Sequence, residues 1–239
     1  MSATEIHGSP DLERSVVVET ARVALAGDLA IPVGATGLVV FAHGSGSSRH
    51  SSRNRYVAEE LRRGKLGTLL LDLLTPYEEA VDAYTRQLRF DIVMLADRLM
   101  GTIQWLQNRE DTRYLPVGLF GASTGGGAAL IAAACDPRLV GAVVSRGGRP
   151  DLAGDELPRV RAPTLLIVGG RDDVVIDLNK QAMRRMKAPV KLVIVPGATH
   201  LFEESGALEQ VATLARDWFV HHFNGNENSP PSGDGGGRS

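Results

Sequence analysis

The stretch Leu119-Phe120-Gly121-Ala122-Ser123-Thr124-Gly125-Gly126-Gly127 constrains this chain more than any other. A short apolar run, Leu115 to Phe120, leads into Gly-x-Ser-x-Gly, and an alanine-rich segment, Ala128 to Ala134, follows. A run of that length suits a buried central strand, and alanine favours helix most strongly. A strand that turns directly into a helix strains its corner, and small residues permit the close backbone approach. Such a corner lifts one hydroxyl, that of Ser123, to where a base can reach it. The pentapeptide alone is a weak signal in a chain with 27 glycines. A glycine-rich strand–helix turn without chemistry would read the same way, so the rest of the sequence has to decide.

Strand and helix signals alternate around that corner. Ser15–Glu19 and Ala21–Ala26 read as two antiparallel edge strands, Leu38–Ala42 as a buried strand, and Asn54–Arg63 as a helix closed by Gly64. Thr68–Asp72 is the next strand. Ile92, Leu95, Leu99, Ile103 and Leu106 recur at helical spacing. After strand 116–120 and helix 125–134 come strands Leu139–Ser145 and Thr164–Val168, helix Leu178–Met186 and strand Val190–Val195. A final helix carries Leu208, Val211, Ala215, Trp218 and Phe219. The alternation predicts a mostly parallel sheet with helices on both faces. Sites in such sheets lie at the carboxyl ends of the strands. With 239 residues, 43% of them hydrophobic, the chain can bury a full core as one domain over residues 14–223. Residues 1–13 are expected to be disordered, as is the Gly/Pro/Ser-rich tail 224–239, which has nothing to bury.

Bulk properties exclude several classes. A net charge of −2 creates no general attraction to nucleic acid or membrane. The single cysteine, Cys135, rules out an internal disulfide framework and suits a reducing compartment. Met1 to Glu13 lacks the apolar core of a signal peptide, and no apolar run approaches the roughly 20 residues that span a bilayer. A cytoplasmic monomer or homodimer is expected. No phosphate loop, zinc-type Cys/His spacing or dinucleotide fingerprint is present, so no metal and no organic cofactor is expected.

A serine hydroxyl becomes nucleophilic only when a base removes its proton, and the base needs a carboxylate to orient it. In strand–helix folds of this type the three follow in the order Ser, Asp/Glu, His. Strand Thr164–Val168 runs into Gly169-Gly170-Arg171-Asp172, and strand Val190–Val195 runs into Pro196-Gly197-Ala198-Thr199-His200. Asp172 and His200 therefore each stand just past a strand end. Asp173 competes for the acid role. His43 also ends a strand, but it precedes the serine, so it is expected to shape the site. Acyl transfer also needs two N–H donors for the developing oxyanion. Thr124 N–H should be one, and Ser45 in His43-Gly44-Ser45-Gly46 the second.

Phe41-Ala42-His43-Gly44-Ser45-Gly46, Gly121-Ala122-Ser123-Thr124-Gly125, Gly169-Gly170-Arg171-Asp172 and Gly197-Ala198-Thr199-His200 together resemble the four site motifs of the α/β-hydrolase superfamily. The similarity runs from about residue 15 to 223 and points to its dienelactone-hydrolase-like branch. The resemblance implies an α/β-hydrolase fold of about eight strands, Ser123 as nucleophile, His200 as base, Asp172 as its orienting acid, and an oxyanion hole from Thr124 and Ser45. Dienelactone hydrolases usually carry cysteine at the nucleophile position, whereas this chain has serine. Cys135 lies further along the helix and is expected to be a small packed side chain.

Ser145 to Ala162 is too short for a substantial lid, which implies an open site. Arg146 follows a strand end, Arg171 precedes the acid, and Arg49, Arg53 and Arg55 follow the oxyanion loop. Arginine clamps carboxylate or phosphate, so a small ester or lactone bearing an anionic group is expected, with Arg146, His43 and Gly44 as substrate contacts. Surface ion pairs are the competing explanation for these arginines. A peptidase or thioesterase on the same fold, and a non-catalytic binding protein that retained it, remain the alternative functions.

Overall fold

The computed structural model describes residues 12–224. The expectation of disordered ends falls mostly on residues outside this range. Eight strands form one sheet: β1 (Leu12–Glu19), β2 (Ala24–Ile31), β3 (Gly37–Ala42), β4 (Leu66–Leu71), β5 (Val117–Ala122), β6 (Ala142–Arg146), β7 (Thr164–Gly169) and β8 (Val190–Val195). The order is β1-β2-β4-β3-β5-β6-β7-β8. β1 pairs antiparallel with β2, and β2 with β4; every other pairing is parallel. This is the expected mostly parallel, eight-stranded arrangement. β2 starts later than expected because Thr20 N–H bonds the Val23 carbonyl at 2.9 Å and forms the turn first.

The strand order reverses at β3, whose neighbours are β4 on one side and β5 on the other. Such a reversal opens a crevice at the carboxyl ends of the two flanking strands. The loop after β3 and the turn after β5 therefore face each other across it.

Six helices cover the sheet: α1 (Ser52–Arg63), α2 (Pro76–Thr85), α3 (Ile92–Gln107), α4 (Thr124–Cys135), α5 (Asp173–Arg185) and α6 (Ala207–Asn224). One buried cluster joins Leu95, Leu99 and Ile103 of α3 to the alanines of α4 and to Ala182 of α5. The other joins Val57 and Leu61 of α1 to Val211, Ala215 and Phe219 of α6. Helices thus lie on both faces. α4 is buried nearly all round, from Thr124 to Ala134, which fits its lack of any polar stripe. The segment between β6 and β7 forms a 3-10 helix, Pro150–Arg159, that packs down on α4 and α5. Among the described residues no lid covers the crevice.

Two helical pieces escape the periodicity argument. α5 begins at Asp173, before the expected Leu178, because Val174, Val175 and Ile176 disguise its first turn. α2 is absent from the expectation altogether, though its start is written in the sequence. Thr75 caps it, Pro76 opens it, and Glu78 completes a capping box, with Thr75 N–H on Glu78 Oε2 at 2.8 Å. Arg98 of α3, buried, then grips both Glu78 oxygens, one at 2.8 Å. Arg98 holds the Glu78 carboxyl down at about 2 despite burial. A carboxyl depressed in the folded state stabilises above its unfolded value, 4.5, and loses that contribution as pH falls toward 2. Glu78→Gln should cost about 2 kcal/mol at pH 7. In urea unfolding, the gap to wild type should close between pH 4.5 and 2.

Candidate active site

The corner after β5 is as tight as the sequence demands. Ser123 has φ 50° and ψ −122°, a conformation that costs a non-glycine residue about 1–3 kcal/mol. Hydrogen bonds on both sides hold it there. Ser123 N–H donates to the Arg146 carbonyl at 3.2 Å, and the Ser123 carbonyl accepts from Gly126 and Arg149 at 3.0 Å each. The flanking glycines are needed for space. A Cβ at Gly121 would lie 2.5 Å from the Gly125 carbonyl oxygen, and one at Gly125 would lie 2.2 Å from that of Ala42.

Asp172 and His200 are brought together by the pairing of β7 with β8. Past the strands, Gly170 N–H bonds the Val195 carbonyl at 2.8 Å and Arg171 N–H bonds that of Ala198 at 2.9 Å. The acid turn and the histidine loop are thereby stapled to each other. Gly169 lets them approach, since a Cβ there would stand 2.5 Å from two carbonyl oxygens of the histidine loop. The result is a 2.6 Å contact between His200 Nδ1 and Asp172 Oδ2. With Nδ1–H donating to the carboxylate, Nε2 is left as the basic nitrogen. Asp173, the competing acid, instead opens α5 and is exposed. The imidazole also lies against Gly147, where a Cβ would be 3.5 Å from Cε1 and Nδ1. Ser123 and His200 thus share one support, the segment that follows β6.

The oxyanion loop differs in detail from expectation. Thr124 occupies the first turn of α4, where its N–H has no intrahelical carbonyl to meet. Ser45 N–H, the expected second donor, is engaged: it donates to Thr124 Oγ1 at 3.0 Å. Ser45 Oγ donates to the Arg89 carbonyl at 3.1 Å and accepts from Thr124 Oγ1 at 2.9 Å. A carbonyl oxygen would have to share Ser45 N–H with the threonine. His43 lines the cavity beside this loop, but both its ring nitrogens are taken by backbone. It is 7% exposed, Nδ1 donates to the Gly44 carbonyl at 2.9 Å, and Nε2 accepts Leu73 N–H at 3.0 Å. Burial pushes its imidazole below the ordinary histidine value. It ties the oxyanion loop to the end of β4. Gly44 packs on the corner, where a Cβ would be 3.1 Å from that of Ser123.

Beside the loop lies a cavity of about 470 Å³ whose walls include Ser45, Ser48, Leu73, Leu74, Arg89 and Thr124. The sequence reading missed Leu73, Leu74 and Arg89; the capping box of α2 was the signal that could have placed them. Arg89 is neutralised by the buried Asp82 of α2. Arg146, the expected anion contact, is buried at the end of β6. Cys135 is exposed at the far end of α4 and not packed as expected, about 18 Å along the helix from Ser123. Among the described residues no cluster of His, Cys, Asp and Glu could hold a metal ion, and no helix is long and apolar enough to cross a membrane.

A doubly flanked, mostly parallel sheet with a strained serine corner at its switch point defines an α/β-hydrolase. The sequence pattern of the dienelactone hydrolase family matches residues 75–223, and the chain belongs to that family. A dienelactone hydrolase of Anabaena variabilis is similar at 59% identity, with a TM-score of 0.88 over 90% of this chain and 99% of that one. The esterase Est1E of Butyrivibrio proteoclasticus shares the fold at 15% identity, with a TM-score of 0.74 over 88% of this chain and 99% of that one. A Mycobacterium tuberculosis protein named "Putative phosphoribosyl transferase" is 59% identical over 90% of this chain. The chain spans about half, 48%, of that relative's length.

The His43 clamp has a measurable consequence. His43→Ala leaves Leu73 N–H buried without an acceptor, which should cost about 1–3 kcal/mol. Denaturant unfolding checks this; an unchanged midpoint would mean that the loop is held by other contacts.

Proposed function

We propose that this family member is a serine hydrolase that cleaves a small ester or lactone through an acyl-enzyme. The contact between His200 and Asp172, with the His200 ring against Gly147 and the strained Ser123 bonded to the carbonyl of the preceding Arg146, is the observation that supports this reading most. Ser123 Oγ attacks the carbonyl carbon while His200 Nε2 takes its proton. The tetrahedral oxyanion is met by Thr124 N–H at the positive end of α4, joined by Ser45 N–H as it turns from Thr124 Oγ1. The C–O bond to the leaving group then breaks, and the imidazolium returns the proton to the departing oxygen. Water, deprotonated by the same nitrogen, releases the acid and restores the serine. Asp172 keeps the imidazole in the tautomer whose Nε2 is basic and stabilises its cationic form. Strain fixes the Ser123 backbone at the corner and Asp172 orients the His200 ring, which reduces the search needed to bring hydroxyl and base together.

Every step is carried by side chains and backbone amides of this chain. The cavity beside Thr124, open and lined partly by leucines, suits a small acyl group.

A fluorophosphonate probe tests the reading directly. It should label Ser123 stoichiometrically, with no labelling of Ser123→Ala. His200→Gln should slow labelling about 100-fold or more. Folded wild-type protein that stays unlabelled would favour a binding protein that kept the fold.

A further inference from the structure

Arginines around the site fall into two groups. Arg49 pairs with Asp72 and Asp28, Arg55 with Asp28, Arg89 with Asp82 and Arg149 with Asp151. For these the ion-pair explanation holds. Arg146 is different. It is only 8% exposed, its Nε and Nη1 are buried without a hydrogen-bond partner, and it forms no ion pair among the described residues. The charge that acts on it is another cation, Arg53 in the first turn of α1; burial and that neighbour lower the Arg146 guanidinium to about 10. Arg53 also has a buried, unpartnered Nε. Among the described residues its single ion pair, at 3.3 Å, is with the exposed Glu203. A guanidinium stays charged at neutral pH, and a buried cation without a counter-charge is strongly unfavourable. A second cation close enough to act on the first, itself paired only at the surface, makes an arrangement that a ligand anion would relieve.

Their position says which part of a substrate they would meet. On β6, Arg146 falls on the sheet face of Ala142 and Val144, which pack with α1 and α6. The cavity beside the oxyanion loop lies toward the other face, where its leucines 73, 74 and 95 join the core of α3 and α4. Ser123 touches both sides: Gly44 of the cavity wall on one, the Arg146 carbonyl on the other. His200, which rests on Gly147, stands on the Arg146 side, and a base returns its proton to the leaving group.

We propose that Arg146 and Arg53 form an oxyanion subsite for the leaving-group portion of the ester, matched best by a phosphate monoester dianion and less well by a carboxylate. The assignment to the leaving group rests on the serine-hydrolase reading; the anion site itself does not. Two guanidiniums offer a planar array of donors and two positive charges, so a dianion with three terminal oxygens is the better complement. Glu203, exposed at the rim, can swing away from Arg53 without leaving a buried charge behind.

The test compares phenyl acetate with 4-acetoxybenzoate and 4-acetoxyphenyl phosphate, which carry the anion on the leaving phenol. Wild type should favour the charged esters in kcat/KM, the phosphate most. Arg146→Met should reduce the charged-to-neutral ratio about tenfold or more. Arg53→Gln, on a half-exposed side chain, should lower it in the same direction and covers the case in which the buried variant misfolds. No preference in wild type, or equal losses on neutral and charged esters, would overturn the subsite. Calorimetry separates this from the hydrolase reading. 4-Hydroxyphenyl phosphate should bind Ser123→Ala protein, and adding Arg146→Met should abolish binding. Phosphate binding without hydrolysis of any ester would sink the hydrolase and leave the subsite standing. Hydrolysis without charge preference or phosphate binding would do the reverse.

Discussion

α4 enters the structure so close to β3 that a Cβ at Gly125 would lie 2.2 Å from the Ala42 carbonyl oxygen and 2.7 Å from that of His43. The serine corner and the oxyanion loop both depend on that contact. It forces the chain to turn within one residue after β5, which puts Ser123 at φ 50°. It sets the N-terminus of α4 against the loop after β3, so that Thr124 and Ser45 meet. And it occurs at the one point in the sheet where strand order reverses, where the chain leaves a crevice. Strain at one serine is sustained because a wholly buried helix and three backbone hydrogen bonds over-determine it.

The remaining elements hold groups toward that crevice by backbone bonds more than by side chains. Asp172 and His200 come from turns stapled to each other past β7 and β8. His43 spends both nitrogens on backbone and so fixes the oxyanion loop. α2, anchored through the Glu78–Arg98 pair, supplies Asp82, which in turn neutralises Arg89 at the cavity wall. A site built this way fixes the backbone that carries the reacting groups. It stays open above, since the β6–β7 segment packs down on α4 and α5 instead of crossing the crevice.

Much of this was legible in the residues. Alternating apolar runs and turn residues implied the parallel sheet, because a strand buried on both faces needs a continuous apolar run. The order Ser123, Asp172, His200 implied a triad, because each residue follows a strand and parallel strands end on one edge. α2 was missed since its hydrophobic pattern is weak: Tyr77, Val81 and Tyr84 are exposed. Only its capping box marked it. Cys135 was read as packed because α4 is so apolar, yet it falls on the last turn, where the helix emerges from the core.

Local chemistry determined the corner, the strands and the identity of the three candidate catalytic groups, since each is fixed by residues adjacent in sequence. Some charges are neutralised by neighbours, as Arg149 is by Asp151, but others depend on pairs distant in sequence, and only the tertiary structure decided those. Arg49 finds Asp72 across the loop, while Arg146 is buried with no ion-pair partner among the described residues and with the cation Arg53 acting on it. The same holds for Ser45, whose N–H the sequence offers to an oxyanion and which in the fold also donates to Thr124 Oγ1. A hydrogen bond or ion pair between residues far apart in sequence is a matter of distance in space, which spacing along the chain does not encode.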